Sequence, residues 1–213
     1  MIFDPTFIPK SGKKTHGLDK FYNVSHSKVE KGLEASLLGL ADLNENTCYA
    51  LNVTQTPANL SEEESRIDFY VGLIQKYAPP LVPIVKSLVV DGGFGKKKFV
   101  NGVAQTGLEV IGKLRHDSRL RYLFNGVQKR GRGRPKQYDG KVDYNDLSRM
   151  KKIYLKEEKL WLYSLVVNHV QFERNIRVVI LKKEKQTGKN SHVILYSTNL
   201  DLNPIKIYQL YKA

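Results

Sequence analysis

Residues 87–99 read SLVVDGGFGKKKF, an apolar run that ends at Asp91 and is followed by a glycine-rich turn and three lysines. The longer run IVKSLVV (84–90) has the length and apolar character of a strand that is buried on both faces of a sheet. Asp91 is therefore either an ordinary turn carboxylate at a strand end or a functional acid at the edge of a sheet.

The segments on either side of this run predict an α/β fold. Three strands are expected first, namely MIFDPTFI (1–8), GLEASLLGLADL (32–43) and TCYALNVTQT (47–56). Apolar residues then recur at helical spacing over residues 59–77, where Ser61 and Glu64 match a capping box. A helix over residues 96–106 and a strand over residues 108–114 complete the alternation of strands and helices that is typical of an α/β layer.

The second half of the chain is rich in predicted strands and ends in a helix. Strand-like runs are WLYSLVV (161–167), IRVVILK (176–182) and HVILYS (192–197). Asn203 is a predicted helix cap and Pro204 takes the first helical position. We predict a core of residues 1–125, a β-rich insertion of residues 126–200 and the start of a final helix in residues 201–213.

The charge of the chain indicates a polyanionic partner. There are 35 Lys and Arg residues against 21 Asp and Glu, a formal net charge of +14. Nine basic residues and one acid lie between positions 113 and 136, so one segment carries +8. No apolar run approaches the ~20 residues that span a bilayer, and the single cysteine, Cys48, excludes a disulfide framework within these residues. A soluble intracellular protein that binds nucleic acid is expected.

Two aspartates share one sequence context. Asp4 follows Ile2 and Phe3 in the first predicted strand, as Asp91 follows two valines in its own strand. If the two strands are neighbours, both carboxylates face one space at the strand ends, where open α/β sheets bind ligands. Carboxylates hold Mg²⁺ together with water and phosphate oxygens. The alternative is that both are ordinary turn residues, and composition and spacing leave both interpretations open.

The basic loop RGRGRPK (130–136) has a Gly-Arg-Pro core that resembles an AT-hook, in which arginines enter the narrow minor groove of A·T-rich DNA. The alternative is a solvated charged loop. The runs GKKT (12–15) and GKKK (95–98) lack the upstream glycine spacing of a nucleotide-binding loop.

Several longer stretches, in order along essentially the whole chain, resemble one known family. They are IFDPTFIPKSGKKTHGLDKF, NVTQTP, VVDGGFGKKKFVNGV, GKLRHDSRLRYLF and GRGRPKQYDGKV. The family is the DDE transposases of bacterial insertion sequences, in the class marked by a Tyr-Arg-Glu-Lys signature. The resemblance implies an RNase H-like fold, a mixed five-stranded sheet with flanking helices and a β-rich insertion. It also implies that Asp4 and Asp91 are the first two catalytic acids and ligands of Mg²⁺ or Mn²⁺, with two ions in the complete family site.

The activity that this resemblance implies is metal-dependent phosphodiester cleavage and strand transfer at insertion-sequence ends. The implied partner is double-stranded DNA, both element ends and target, in the bacterial cytoplasm in association with the nucleoid. Candidate protein partners are a second copy of the chain or a full-length transposase. The residues expected to contact DNA phosphates are Lys10, Lys13, Lys96, Lys97, Lys98, Arg115, Arg119, Arg121, Arg130, Arg132, Arg134 and Lys136. The alternative for these residues is a merely solvated basic face.

The signature helix departs from the family pattern. Tyr211 matches the signature Tyr, but the Arg, the catalytic Glu and the Lys are absent from these residues. Four later acids match no family position, namely Glu157, Glu158, Glu173 and Asp201. A truncated transposase, inactive alone, is therefore expected. The alternative is a non-catalytic basic DNA-binding protein that modulates full-length transposase. An RNA-associated protein is disfavoured because the aromatic residues are not expected to cluster on one strand pair.

Overall fold

The structure is a computed structural model that describes residues 1–61, 63–128, 131, 133–183 and 192–213. Within these residues there are twelve strands, β1 (Ile2–Pro9), β2 (Asp19–Asn23), β3 (Lys28–Asp42), β4 (Thr47–Gln55), β5 (Ser87–Val90), β6 (Glu109–Leu114), β7 (Leu120–Leu123), β8 (Tyr138–Lys141), β9 (Lys151–Leu155), β10 (Leu160–His169), β11 (Arg174–Lys183) and β12 (His192–Ser197). The described helices are α1 (Arg66–Tyr77), α2 (Lys97–Ala104) and α3 (Pro204–Lys212). The mixed α/β class predicted from the sequence is confirmed.

The strands form one mixed sheet in the order β2-β3-β1-β5-β6-β12-β11-β10-β7-β8, with β4 also pairing with β3 and β9 with β10. Strand β5 runs parallel to both β1 and β6, while β1 and β3 are antiparallel. The sheet is larger than the five strands predicted, because β12 pairs with β6 and joins the strands of the second half to the same sheet.

The helices cover the two faces of this sheet. Alternate residues of a strand point to opposite faces, so Leu88 packs in the cluster that holds α1 and α2, and Val89 packs with α3. The cluster on the α1 and α2 face contains the buried rings of Phe3 and Phe99. On the other face, Ile207 of α3 is fully buried. None of the described helices is long and apolar enough to cross a membrane.

The first helix begins later than the sequence predicted. Its N-cap is Ser65, and the Asp68 carboxylate accepts a hydrogen bond from the Ser65 backbone N–H at 2.9 Å. The capping pair predicted at Ser61 and Glu64 is wrong, because the helix is capped four residues later. Arg66 fixes the start of the helix, because its guanidinium binds Asp19 at 2.9 Å in strand β2, a strand that the sequence did not predict.

Candidate active site

Strand pairing places Asp4 and Asp91 at neighbouring positions on the sheet. In the parallel β1–β5 pair, Phe3 lies opposite Val90, and each aspartate is the next residue of its chain segment. Both side chains line one cleft of about 560 Å³. The sequence placed the two carboxylates in one space only if their strands were neighbours, and in the structure β1 and β5 are neighbours.

The two carboxylates are electrostatically coupled. Partial burial, and then the charge of Asp91, raise the pKa of Asp4 above its ordinary value. Neither carboxylate forms an ion pair with a Lys, Arg or His side chain among the described residues. The cleft therefore holds two negative charges without a protein cation to offset them.

The donor set of this cleft suits a hard divalent cation. Mg²⁺ is commonly held by one or two carboxylates, with water and substrate phosphate oxygens completing its coordination. Asp4 and Asp91 supply two such carboxylates. In the part of the chain that the structure describes, no group of three or more His, Cys, Asp or Glu side chains could hold a metal ion. The residues present therefore fit one magnesium-like ion better than a fully protein-bound pair of ions.

Helix α3 brings Tyr211 to the same cleft. The Tyr211 hydroxyl donates to Asp91 Oδ1 at 3.3 Å. Burial, the charge of Asp91 and this hydrogen bond together raise the pKa of Tyr211 to about 12. The phenol is thus a donor at all ordinary pH values, and it holds one oxygen of the Asp91 carboxylate. The residue identified from the signature pattern lies beside the second candidate acid.

A cap fixes the start of α3, and packing and hydrogen bonds fix its position. The Asn203 side chain caps the helix by accepting from the Ile205 backbone N–H at 2.9 Å, as the sequence predicted. Ile207 packs fully buried against β6 and β12. At the C-terminal end, Glu158 accepts hydrogen bonds from the Tyr208 hydroxyl and from Lys212 Nζ, the latter at 3.0 Å. These contacts fix the position of Tyr211 relative to Asp91.

The other late acids lie away from the cleft. Glu158 is used in the contact with α3, and Glu173 pairs with Lys97 at 2.5 Å. Neither they nor Glu157 and Asp201 are among the residues that line the cleft. Among the described residues, Asp4 and Asp91 are the acids that line it.

Three predicted DNA contacts lie together beside Asp91. Lys96, Arg115 and Arg119 line a second pocket, which begins at Gly92. Lys10, at the end of β1, lines a third, open cleft whose wall includes Phe7, a residue that also lines the aspartate cleft. The four cations thus line pockets next to the aspartate cleft and not the cleft itself, an arrangement that suits a polyanionic substrate extending beyond the carboxylates.

Several other predicted DNA contacts have protein partners. Lys97 pairs with Glu173, and Lys98 pairs with Asp68 at 2.5 Å on an exposed surface. Such exposed pairs are weak, typically ~0–1 kcal/mol, and leave both lysines able to exchange partners. Arg121 is more firmly held: its Nη2 donates to Asn168 Oδ1 at 2.7 Å.

The basic loop, residues 130–136, belongs to the chain segment that joins β7 to β8, at one end of the sheet order. Arg134 donates to Gln137 at 3.2 Å, and Lys136 contacts Asp139 at 2.8 Å. Arg130 and Arg132 lie outside the described residues. Lys13 is exposed in the segment between β1 and β2.

Two features of the structure were missed from the sequence. His169 lines the pocket that begins at Gly92, and nothing in its local sequence distinguishes it from the other histidines. Aromatic residues do cluster on one strand pair, contrary to expectation: Tyr154 and Trp161 face each other on β9 and β10, with ring centroids 4.4 Å apart. Lys152 Nζ lies 3.7 Å from the Trp161 ring centroid, so that ring already has a cationic partner.

Comparison with known families supports the same class of protein. Residues 73–161, less than half of the chain, match the family described as DDE superfamily endonuclease. The matched segment contains Asp91 and the basic residues that follow it, and it excludes Asp4 and α3. The match supports a DDE-type transposase or endonuclease that acts on DNA. No curated protein matched the chain significantly.

Proposed function

We propose that the chain is the RNase H-like core of a DDE transposase of the insertion-sequence type, acting on the phosphodiester backbone of double-stranded DNA. The observation that carries the proposal is the placement of Asp4, inside β1, and Asp91, directly after β5, side by side where the parallel pairing of these strands ends, in one open cleft. The DDE endonuclease match over residues 73–161, which includes Asp91, agrees with it.

Asp4 and Asp91 are the residues that would hold a divalent cation. Such a cation, Mg²⁺ or Mn²⁺, supplies Lewis-acid stabilisation of phosphoryl oxygens and lowers the pKa of bound water. The Tyr211 hydroxyl orients the Asp91 carboxylate through Oδ1. The surrounding Lys10, Lys96 and Arg119 offset the negative charge of a DNA backbone that enters the cleft.

The site as it stands in these residues is expected to cleave DNA poorly. Two carboxylates offset only part of the charge of two dications, and a two-ion mechanism needs both ions in place. We therefore propose that the chain is inactive alone, and that a further carboxylate from a second chain or a full-length transposase completes the site. Nicking of supercoiled plasmid by the purified chain in Mg²⁺ or Mn²⁺, abolished by Asp91→Ala, would contradict this part of the proposal.

A second candidate function is a non-catalytic DNA-binding protein that modulates a full-length transposase. It is favoured by the formal net charge of +14 and by the absence of a third acid from the described cleft. The two functions differ in what they require of the carboxylates. A binding protein does not use Asp4 or Asp91, whereas a nuclease core uses both.

Metal-dependent DNA binding tests the proposed function. Fluorescence anisotropy of a labelled duplex is measured in EDTA and in millimolar Ca²⁺, an ion that occupies oxygen sites without requiring cleavage. We expect Ca²⁺ to tighten binding by the wild-type chain and not by Asp4→Asn or Asp91→Asn. The control is Asp201→Asn, which removes an exposed carboxylate outside the cleft.

Equal binding by all four proteins in both buffers would contradict the nuclease proposal and support the modulator. Tighter binding of the two cleft variants in EDTA is also expected, because each removes a negative charge that repels DNA.

A further inference from the structure

A second pocket begins at Gly92, the residue after Asp91. Its volume is about 570 Å³, and its walls come from the turn at residues 92–96, the segment at residues 114–119 and the turn at residues 169–171. These segments follow β5 and β6, which are neighbours in the sheet, and β10, which is separated from β6 by β12 and β11. Only the folded chain brings them together.

The pocket carries uncompensated positive charge. Arg115 uses its guanidinium on Asp117, with Nε and Nη2 at 3.1 and 3.2 Å from the two carboxylate oxygens. Lys96 and Arg119 also line the pocket, and neither forms an ion pair with any described residue. Two cations are thus left for a ligand of opposite charge.

His169 adds a buried hydrogen-bond donor to this wall. The residue is 1% exposed, and its Nδ1 accepts from the Phe172 backbone N–H at 3.1 Å. This contact assigns the proton of the neutral ring to Nε2. Burial lowers the pKa of His169 to about 4, so the ring is neutral at ordinary pH. Among the described residues Nε2 has no hydrogen-bond partner, and it is not one of the fully buried polar atoms that lack a partner, so it is accessible from the pocket that His169 lines.

We propose that this pocket binds a phosphate group of the DNA substrate, with charge from Lys96 and Arg119 and a hydrogen bond from His169 Nε2. Phosphate groups accept several charge-assisted hydrogen bonds at once, which matches two cations and a neutral N–H donor. The inference that the phosphate belongs to DNA rests on the proposed function. The inference that the pocket binds a phosphate group rests only on its positive charge and on the His169 Nε2 donor. His169 is here a positioning residue, since it fixes the strand beside Asp91.

The test uses the whole chain in EDTA, so that the aspartate cleft plays no part. The probes are a thymidine dinucleotide with one phosphodiester, thymidine monophosphate and inorganic phosphate. The ¹⁵N resonances of the histidine rings and the amide of Gly93 are followed by NMR. We expect the dinucleotide to shift the His169 Nε2 resonance saturably.

Three variants separate a specific site from a general basic surface. His169→Asn keeps an acceptor for the Phe172 N–H and removes the donor at the Nε2 position, and Arg119→Ala removes an exposed cation without touching the core. Each is expected to weaken dinucleotide binding about tenfold, as followed at Gly93. Arg134→Ala removes a predicted DNA contact that does not line the pocket; it measures the effect of general positive charge and is expected to weaken binding at Gly93 less than Arg119→Ala does. Should His169→Asn fail to fold, the comparison of the two arginine variants carries the test.

The outcomes distinguish this inference from the proposed function. No saturable shift with any probe, or equal weakening by Arg134→Ala, overturns the pocket. If thymidine monophosphate binds and the dinucleotide does not, the inference that the phosphate belongs to a DNA strand is overturned. Asp91→Asn removes a negative charge beside the pocket and is expected to bind the dinucleotide at least as tightly as the wild type in EDTA, so the pocket can stand even if the aspartates bind no metal.

Discussion

Replacing Asp91 by Asn is expected to stabilise the chain when no metal is bound. Burial and the neighbouring Asp91 charge raise the pKa of Asp4, which means that the folded state holds two carboxylates close together at a cost. Asparagine has nearly the same shape and keeps an oxygen that can accept from the Tyr211 hydroxyl. The substitution therefore removes the repulsion and preserves the contact with α3.

The size of the effect follows from the geometry of the strands. Side chains at neighbouring positions on adjacent strands lie about 5–6 Å apart, and two unit charges at that distance repel by roughly 1 kcal/mol in an open, solvent-screened cleft. A gain of about 1 kcal/mol raises the melting temperature of a protein of this size by about 2–4 °C. In the wild type this repulsion between the two carboxylates is present at pH values above the raised pKa of Asp4. It is lost as the pH falls through that pKa, because the folded state then takes up a proton.

The assay is thermal unfolding followed by circular dichroism, at neutral and acidic pH, in EDTA and in millimolar Mn²⁺. In EDTA at neutral pH the Asp91→Asn variant should melt above the wild type, with the difference shrinking in acid. In Mn²⁺ the order should reverse, because only the wild type gains stability from binding the ion. Asp201→Asn is the control. A lower melting temperature of Asp91→Asn in EDTA would refute the reasoning.

Three further predictions concern the surroundings of the aspartates. Ile207→Ala should lower the free energy of unfolding by about 2–5 kcal/mol in urea titrations, because it leaves a cavity under α3; a change below about 0.5 kcal/mol would contradict the packing. Arg119→Ala should reduce by about one the slope of the logarithm of the DNA-binding constant against the logarithm of salt concentration. Arg121→Ala removes a contact within the protein, so it should reduce stability and leave this slope unchanged. Equal slopes for both variants would show that the two arginines do not differ. In Asp91→Asn the pKa of Tyr211, about 12 in the wild type, should fall as measured by ¹³C NMR of labelled tyrosine; an unchanged value would mean that Asp91 does not act on it.

The local elements could be predicted because their signals lie within a few residues. The cap of α3 at Asn203 and the apolar run of β5 have physical causes that are contained in their own sequence. The start of α1 could not be predicted in the same way, since the pair Ser61 and Glu64 matches a capping box and yet the helix is capped at Ser65. The choice depends on Arg66 reaching Asp19, a contact between residues far apart in the chain.

The candidate site was likewise predictable only in the part that depends on local sequence. The sequence offered Asp4 and Asp91 as two strand-end carboxylates, but their proximity depends on the parallel pairing of β1 with β5, which is a long-range contact. The role of Arg121 in holding Asn168 and the position of His169 beside Gly92 were not predictable for the same reason. Folding brings these residues together from segments whose local patterns carry no sign of one another.

Binding of Mn²⁺ shows most directly whether Asp4 and Asp91 form one site for a divalent cation. Titration of the purified chain with Mn²⁺, with free Mn²⁺ followed by electron paramagnetic resonance, tests it without requiring any cleavage. We expect saturable binding of about one ion per chain, weakened at least tenfold in both Asp4→Asn and Asp91→Asn and unchanged in Asp201→Asn. Binding that is the same in all four proteins, or no saturable binding by the wild type, would contradict the existence of that site.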